Sequence, residues 1–163
     1  MSAFGLAREL GITQHQAQLY IDGYFRKYAG VRAYLDGILE GARRDGYVST
    51  LLNRRRYLPE IASANMTVRQ FAERMAVNTP IQGTAADLIK IAMIRIHRRL
   101  REEGLTARMI MQVHDELVFE VPATERETVL DRVKREMEGA YRLKVPLTVE
   151  IGFGANWDEA HGR

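Results

Sequence analysis

Apolar residues return every three or four positions along most of this chain, and the places where that spacing fails divide it into elements. Phe4 to Leu10 reads as a short helix closed by Gly11. Thr13 then fits an N-cap with Gln16 as its capping-box partner, and Ala17, Tyr20, Ile21, Tyr24 and Phe25 form the apolar stripe of the next helix. Gly30 separates that helix from a third, which runs to about Arg44. Between Gly46 and Pro59 the pattern changes to β-favouring flanks around a polar centre at Asn53, which predicts a hairpin. Helical spacing resumes near Thr67 and reaches Thr79 and Pro80, where a residue without an N–H predicts a break or kink at 78–80. The helix beyond it places Ile81, Ala85, Leu88, Ile89, Ala92, Met93, Ile96 and Leu100 on one side, stops at Gly104, and should be the longest buried helix.

Two alternating runs follow, Met109/Met111/Val113 and Leu117/Phe119/Val121, with His114 and Asp115 between them. They predict a second hairpin with a carboxylate at its tip. A helix from about Thr124 to Tyr141 and a strand from Val145 to Ile151 complete a β-β-α-β tail that needs a sheet to bury its apolar faces. The fold class is therefore α+β: a mainly helical part, 1–79, with a short hairpin, then a part, 80–163, built on an antiparallel sheet.

Composition narrows the function classes. The chain has 163 residues, 46% apolar, 28% charged and only four prolines, which fits one folded domain or two small lobes and excludes a wholly disordered chain. With no cysteine, disulfides, thiolate metal sites and cysteine nucleophiles drop out. No stretch approaches the roughly 18 apolar residues of a membrane span, and the start has no basic segment followed by an apolar run, so the expectation is a soluble, untargeted chain without membrane partners. Charge is divided. Residues 1–108 carry 17 basic and 10 acidic groups, and residues 109–163 carry 7 and 11, so only the first part is suited to face a polyanion. Arginine outnumbers lysine 20 to 4. That bias suits phosphate and base edges, and equally follows from genome composition or thermal adaptation.

Three groups of residues can carry chemistry. Asp115 and Glu116 are adjacent carboxylates where a strand pair turns, an arrangement that can bind a hard divalent cation, magnesium or manganese before zinc; Asp-Glu pairs are also ordinary on solvated turns. His114 beside them is open between a base, a ligand and a solvated turn residue. Arg74, Asn78 and Gln82, four apart, can reach base edges or sugar oxygens in a duplex groove, or form a polar face opposite Phe71, Met75 and Ala76. Arg54, Arg55 and Arg56, next to Tyr57 and following Arg43 and Arg44, suit a phosphate backbone, or a solvated face. No Gly-rich phosphate loop, His-Glu-x-x-His helix or Gly-x-Ser-x-Gly elbow is present.

Taken as one string, Arg74-Met-Ala-Val-Asn78-Thr-Pro-Ile-Gln82-Gly-Thr-Ala-Ala-Asp87-Leu-Ile-Lys90, followed by Gln112-Val-His114-Asp115-Glu116-Leu117, resembles the C-terminal part of bacterial family A DNA polymerases of the DNA polymerase I type. The likeness extends from Ser2-Ala-Phe-Gly through Leu51-Leu-Asn-Arg-Arg-Arg-Tyr-Leu-Pro59 to Val149-Glu-Ile-Gly-Phe-Gly-Ala-Asn-Trp157. It implies a fingers-like part in 1–79 and a palm-like part in 80–163. It also implies a catalytic and metal-ligand role for Asp115, with Glu116 as an accessory carboxylate. Arg74, Asn78, Gln82 and His114 would meet the primer-template near the growing end, largely from the minor-groove side, and Arg54, Arg55 and Arg56 would lie near the template strand.

The implied reaction is DNA-directed DNA synthesis from deoxynucleoside triphosphates, in replication or repair, in the bacterial cytoplasm at the nucleoid. Its cofactor would be a pair of Mg2+ ions. The family's first palm motif, of Asp-Tyr-Ser-Gln-Ile-Glu type, has no match here, and its triphosphate-gripping fingers helix should end just before Met1. The expectation is a C-terminal portion holding half of the metal ligands, which needs the missing N-terminal polymerase portion and does not extend primers alone. Against it stand a non-enzymatic nucleic-acid-binding module derived from a polymerase, and a structural fragment that self-associates.

Overall fold

The computed structural model describes residues 2–162. The chain forms two compact units, one taking in the chain up to Ser49 together with Asn53–Pro80, the other Thr50–Leu52 and the chain from Ile81 onward.

In the first unit, helix α1 (Ala3–Leu10) is capped by the Ser2 hydroxyl, which accepts from the Gly5 N–H, and closed by Gly11 in the left-handed region. Helix α2 (Gln14–Lys27) opens on the expected capping box: the Thr13 hydroxyl accepts from the Gln16 N–H at 3.2 Å, and the Gln16 side-chain oxygen accepts from the Thr13 N–H at 3.0 Å. Its apolar stripe is only partly covered, with Ile21 and Phe25 half-buried on the same side as Ala17. Ala17 is buried while Tyr20 and Tyr24 are more than half exposed, because nothing in the described chain covers their side of the helix. Gly30 does not end α2 either. The break falls at Tyr28 (φ −115°, ψ 57°), and helix α3 (Ala29–Asp45) takes Gly30 into its first turn, where a glycine interrupts little.

Gly46 ends α3, and strands β1 (Tyr47–Ser49) and β2 (Arg55–Tyr57) pair antiparallel, Val48 opposite Arg56. Helix α4 (Met66–Asn78) starts where the Asn65 side chain accepts from the Thr67 and Val68 N–H groups. The core of this unit gathers Ala42, Val48, Leu58, Ile61, Ala72 and Ala76, and an Arg43–Glu73 ion pair at 2.7 Å fastens α3 to α4 at the surface.

The expected break at 78–80 is replaced by a π-helical turn, Thr79–Gly83, which leads directly into helix α5 (Thr84–Glu102). The wider i→i+5 spacing absorbs the missing donor of Pro80, and the Thr79 hydroxyl donates to the Met75 carbonyl at 2.7 Å.

In the second unit α5 is the longest of the described helices and buries Ala92, Ile96 and Leu100 against Val129 and Val133 of helix α6 (Arg126–Glu138). Strands β3 (Arg108–Val113) and β4 (Glu116–Glu120) pair antiparallel and pack Met109, Leu117 and Phe119 onto the same core. Ile96 is fully buried, worth about 1.5–3 kcal/mol relative to an exposed side chain. A bulge between Met109 and Met111 breaks the expected alternation and leaves Ile110 and Met111 exposed. Glu125 ties the start of β3 to the turn before α6, accepting from the N–H groups of Thr106 and Ala107 and from the Thr106 hydroxyl. The backbone hydrogen bond from Thr106 is the main reason its carboxyl sits below the usual carboxylate range.

The α+β class holds, but the strand expected at Val145–Ile151 does not form. A strand exists only where its backbone pairs with a neighbouring edge, and this segment pairs with neither edge of the two-stranded β3–β4 sheet, so it stays irregular. It is held instead by single contacts such as the Val149 N–H to Glu138 at 3.1 Å, and it ends in a short helix, α7 (Trp157–Ala160), capped by Asn156.

Candidate functional site

The β3–β4 ladder closes in a two-residue turn at His114 and Asp115, with Val113 opposite Glu116. His114 adopts φ 51°, a conformation that bulky side chains seldom enter, and the Gln112 amide donates to its carbonyl at 2.6 Å. Packing of the ladder onto α5 and α6 therefore fixes where the turn points. Asp115 is exposed at the tip, while Glu116 is partly buried and its Oε1 lies 2.9 Å from Nε2 of His161. The other ring nitrogen of His161 lies 2.7 Å from the Trp157 carbonyl oxygen. Both neighbours are acceptors, so a doubly protonated ring donates to both at once.

Two carboxylates on a rigid turn are a fitting donor set for a hard cation that keeps several waters and takes further oxygens from phosphate. No group of three or more metal-ligating side chains lies together among the described residues, so the fit is that of a partial ligand set.

The expected nucleic-acid contacts divide between the units. Arg54, Arg55 and Arg56 are exposed at the β1–β2 hairpin, whose turn contains Asn53 at φ 63°. Arg55 stacks its guanidinium 4.6 Å from the Tyr47 ring, and Arg56 reaches the Met75 sulfur at 2.9 Å, joining the hairpin to α4. Arg74 and Asn78 are exposed on α4. Phe71, expected on the buried side, is instead 55% exposed with the Arg74 guanidinium 5.6 Å from its ring centre, because the small Ala72 and Ala76 form the buried face. Gln82 is exposed in the π-helical turn and belongs to the second unit.

The sequence reading missed His161. Its signal was present in the Asn156/Glu159 spacing, a capping pattern that starts a helix at Trp157 and sets His161 just after it.

The family model for DNA polymerase family A matches residues 1–159. The chain belongs to DNA polymerase family A. This family A chain is 52% identical over 160 residues to DNA polymerase I of Mycobacterium tuberculosis, covering 98% of the chain and 18% of that relative. It is 53% identical over 161 residues to DNA polymerase I of Pseudomonas aeruginosa, covering 99% and 18%. Among solved structures, the POL domain of Pol1 from M. smegmatis in complex with DNA primer-template and dNTP superposes with a TM-score of 0.95 at 49% identity, covering 98% of this chain and 28% of that one. The family A chain thus spans about a fifth of the length of these curated relatives. No helix among its described residues is long and apolar enough to cross a membrane.

Proposed function

We propose that this chain supplies duplex contacts and half of the metal site of a DNA-directed DNA polymerase, acting in replication or repair at the nucleoid in the bacterial cytoplasm. Residues 1–79 serve as a fingers-like part and 80–163 as a palm-like part. The observation that carries this reading is the rigid turn holding His114, Asp115 and Glu116, in a chain that belongs to family A. Its partners are primer-template DNA, deoxynucleoside triphosphates and an N-terminal polymerase portion carrying the first palm motif.

In the reaction the primer 3′-hydroxyl oxygen attacks the α-phosphorus of the triphosphate and pyrophosphate leaves. When bound, divalent ions, Mg2+ in this reading, would supply a lowered hydroxyl pKa and charge neutralisation on the leaving phosphates. Asp115 is the residue here that would hold them, with Glu116 beside it as accessory carboxylate. Arg74, Asn78, Gln82 and His114 contact the duplex near the growing end. Minor-groove acceptors are nearly alike in all correct pairs, so donors placed there sense pair geometry without reading sequence. Arg54, Arg55 and Arg56 neutralise template phosphates.

The test is primer extension with magnesium by the 163-residue chain alone and by the chain paired with an upstream fragment carrying the first palm motif and the fingers helix. Synthesis by the pair and none by the chain alone is expected. A paired Asp115→Ala form as active as the unaltered pair overturns the site assignment, and synthesis by the chain alone overturns the division of ligands.

A further inference from the structure

The segment after α6 forms no strand, yet it is pinned at several points, and all of them lie within the second unit. The Glu138 carboxylate accepts from the Val149 N–H, and the Arg126 guanidinium lies 4.1 Å from the centre of the Phe153 ring. The chain then doubles back so tightly that a Cβ at Gly152 would collide with the Ala160 carbonyl, and one at Gly154 would collide with the backbone of Ala160 at 2.5 Å. That close return is closed by Asn156, whose side-chain amide donates to the Glu159 carboxylate and whose side-chain oxygen accepts from the Glu159 N–H, and by Glu159, which also accepts from the Ala155 N–H; it delivers His161 to Glu116 at 2.9 Å. The ring of His161 is held from behind by the Trp157 carbonyl and from the side by the Trp157 indole, 4.6 Å between centroids. These contacts orient the ring so that its Nε2 meets a carboxylate of the candidate metal site.

We propose that His161 is a positioning residue for Glu116. By holding Oε1 it keeps that carboxylate turned toward the tail, so that of the adjacent pair Asp115 is the one with both oxygens free for a divalent cation. The two carboxylates, equivalent by sequence, are thereby given different tasks. Asp115 is the ligand, and Glu116 is a fixed neighbouring charge and the anchor of the tail. This rests on the metal reading of the hairpin given above.

The test is a double-mutant cycle on the 163-residue chain with manganese(II) alone as probe, its free fraction read by electron paramagnetic resonance, and with 13C relaxation of the Glu116 side chain as a second readout. In the unaltered chain Asp115→Asn should weaken manganese binding about tenfold or more, whereas Glu116→Gln, whose amide oxygen still accepts from His161, should change it less than about twofold. In a His161→Ala background the Glu116 side chain should become mobile and share in binding, so that Glu116→Gln now costs about fivefold. His161→Gln, which keeps a donor at the Nε2 position, should restore the unaltered pattern. An identical Glu116→Gln effect in both backgrounds, or a His161→Gln chain that behaves like His161→Ala, overturns the proposal. If the unaltered chain binds no manganese, the cycle is run on the chain paired with the upstream fragment: failure there overturns the metal reading, and the positioning role is then decided by whether His161→Ala mobilises Glu116.

Discussion

The molecule contains two hairpins that turn on the same device and carry opposite charge. Asn53 and His114 are the only non-glycine residues with positive φ among those described, and each sits in the connection of an antiparallel pair. In the first hairpin three-residue strands present exposed arginines, one stacked on Tyr47 and one resting on Met75. In the second, strands of six and five residues lie on a helix core and end in two carboxylates. Both hairpins lie on a core, Val48 and Leu58 in the first and Leu117 and Phe119 in the second, so ladder length is what distinguishes them, and the proposed tasks divide along that line. In the proposed division, a short pair with long cationic side chains suits phosphate contacts, which tolerate movement, whereas a longer ladder suits the fixed carboxylate that metal chemistry demands.

The comparison breaks most sharply at Asp115. In the paired polymerase Asp115→Ala should lower primer extension by about a thousandfold or more while changing DNA affinity little, since a misplaced ion costs catalysis more than binding. Next come the residues beneath each hairpin. Leu58 and Ile96 are the largest fully buried side chains, and truncating either to alanine should cost about 2–5 kcal/mol, read from urea midpoints. Amide exchange should rise in β1–β2 for Leu58→Ala and in β3–β4 for Ile96→Ala.

A smaller effect is expected from the arginines. Replacing Arg54, Arg55 and Arg56 together by alanine should flatten the slope of log affinity for duplex DNA against log salt by about 2–3, each phosphate contact contributing roughly 0.9, without altering manganese binding. An unchanged slope would remove the first hairpin from the interface.

The smallest effect concerns Glu125, which braces the start of β3. Its folded pKa is depressed, so the stability it contributes is present above the ordinary carboxylate range and is lost as pH falls through the depressed value. Glu125→Gln should remove that part of the acid dependence, measured by thermal unfolding between neutral and acidic pH.

Local chemistry was legible in the chain and long-range covering was not. Thr13 with Gln16, Gly11 and the hairpin turn at Asn53 are decided by residues within a few positions, and each stands where the sequence puts it. Val145–Ile151 has the alternation of a strand, but alternation does not decide which edge, if any, the segment pairs with, and it pairs with neither edge of β3–β4. Tyr20 and Tyr24 repeat at helical spacing, which specifies the helix and leaves open what lies against it. Pro80 announced a disturbance whose form, a widened turn in place of a break, depended on how the flanking helices continue. At the candidate site His114, Asp115 and Glu116 were readable as a unit. His161 was not, because 45 residues separate it from Glu116.

The central claim is that one hairpin handles phosphate and the other handles the cation. It is tested most directly by measuring primer-template binding, by fluorescence anisotropy at two ionic strengths, and manganese binding on the same preparations of three proteins: the unaltered chain, Asp115→Asn, and the triple arginine variant. The account predicts crossed effects: Asp115→Asn weakens manganese binding and keeps salt-sensitive DNA binding, and the arginine variant keeps manganese binding and shows weaker, less salt-sensitive DNA binding. Loss of both ligands in either variant, or DNA affinity indifferent to salt in the unaltered chain, would contradict it.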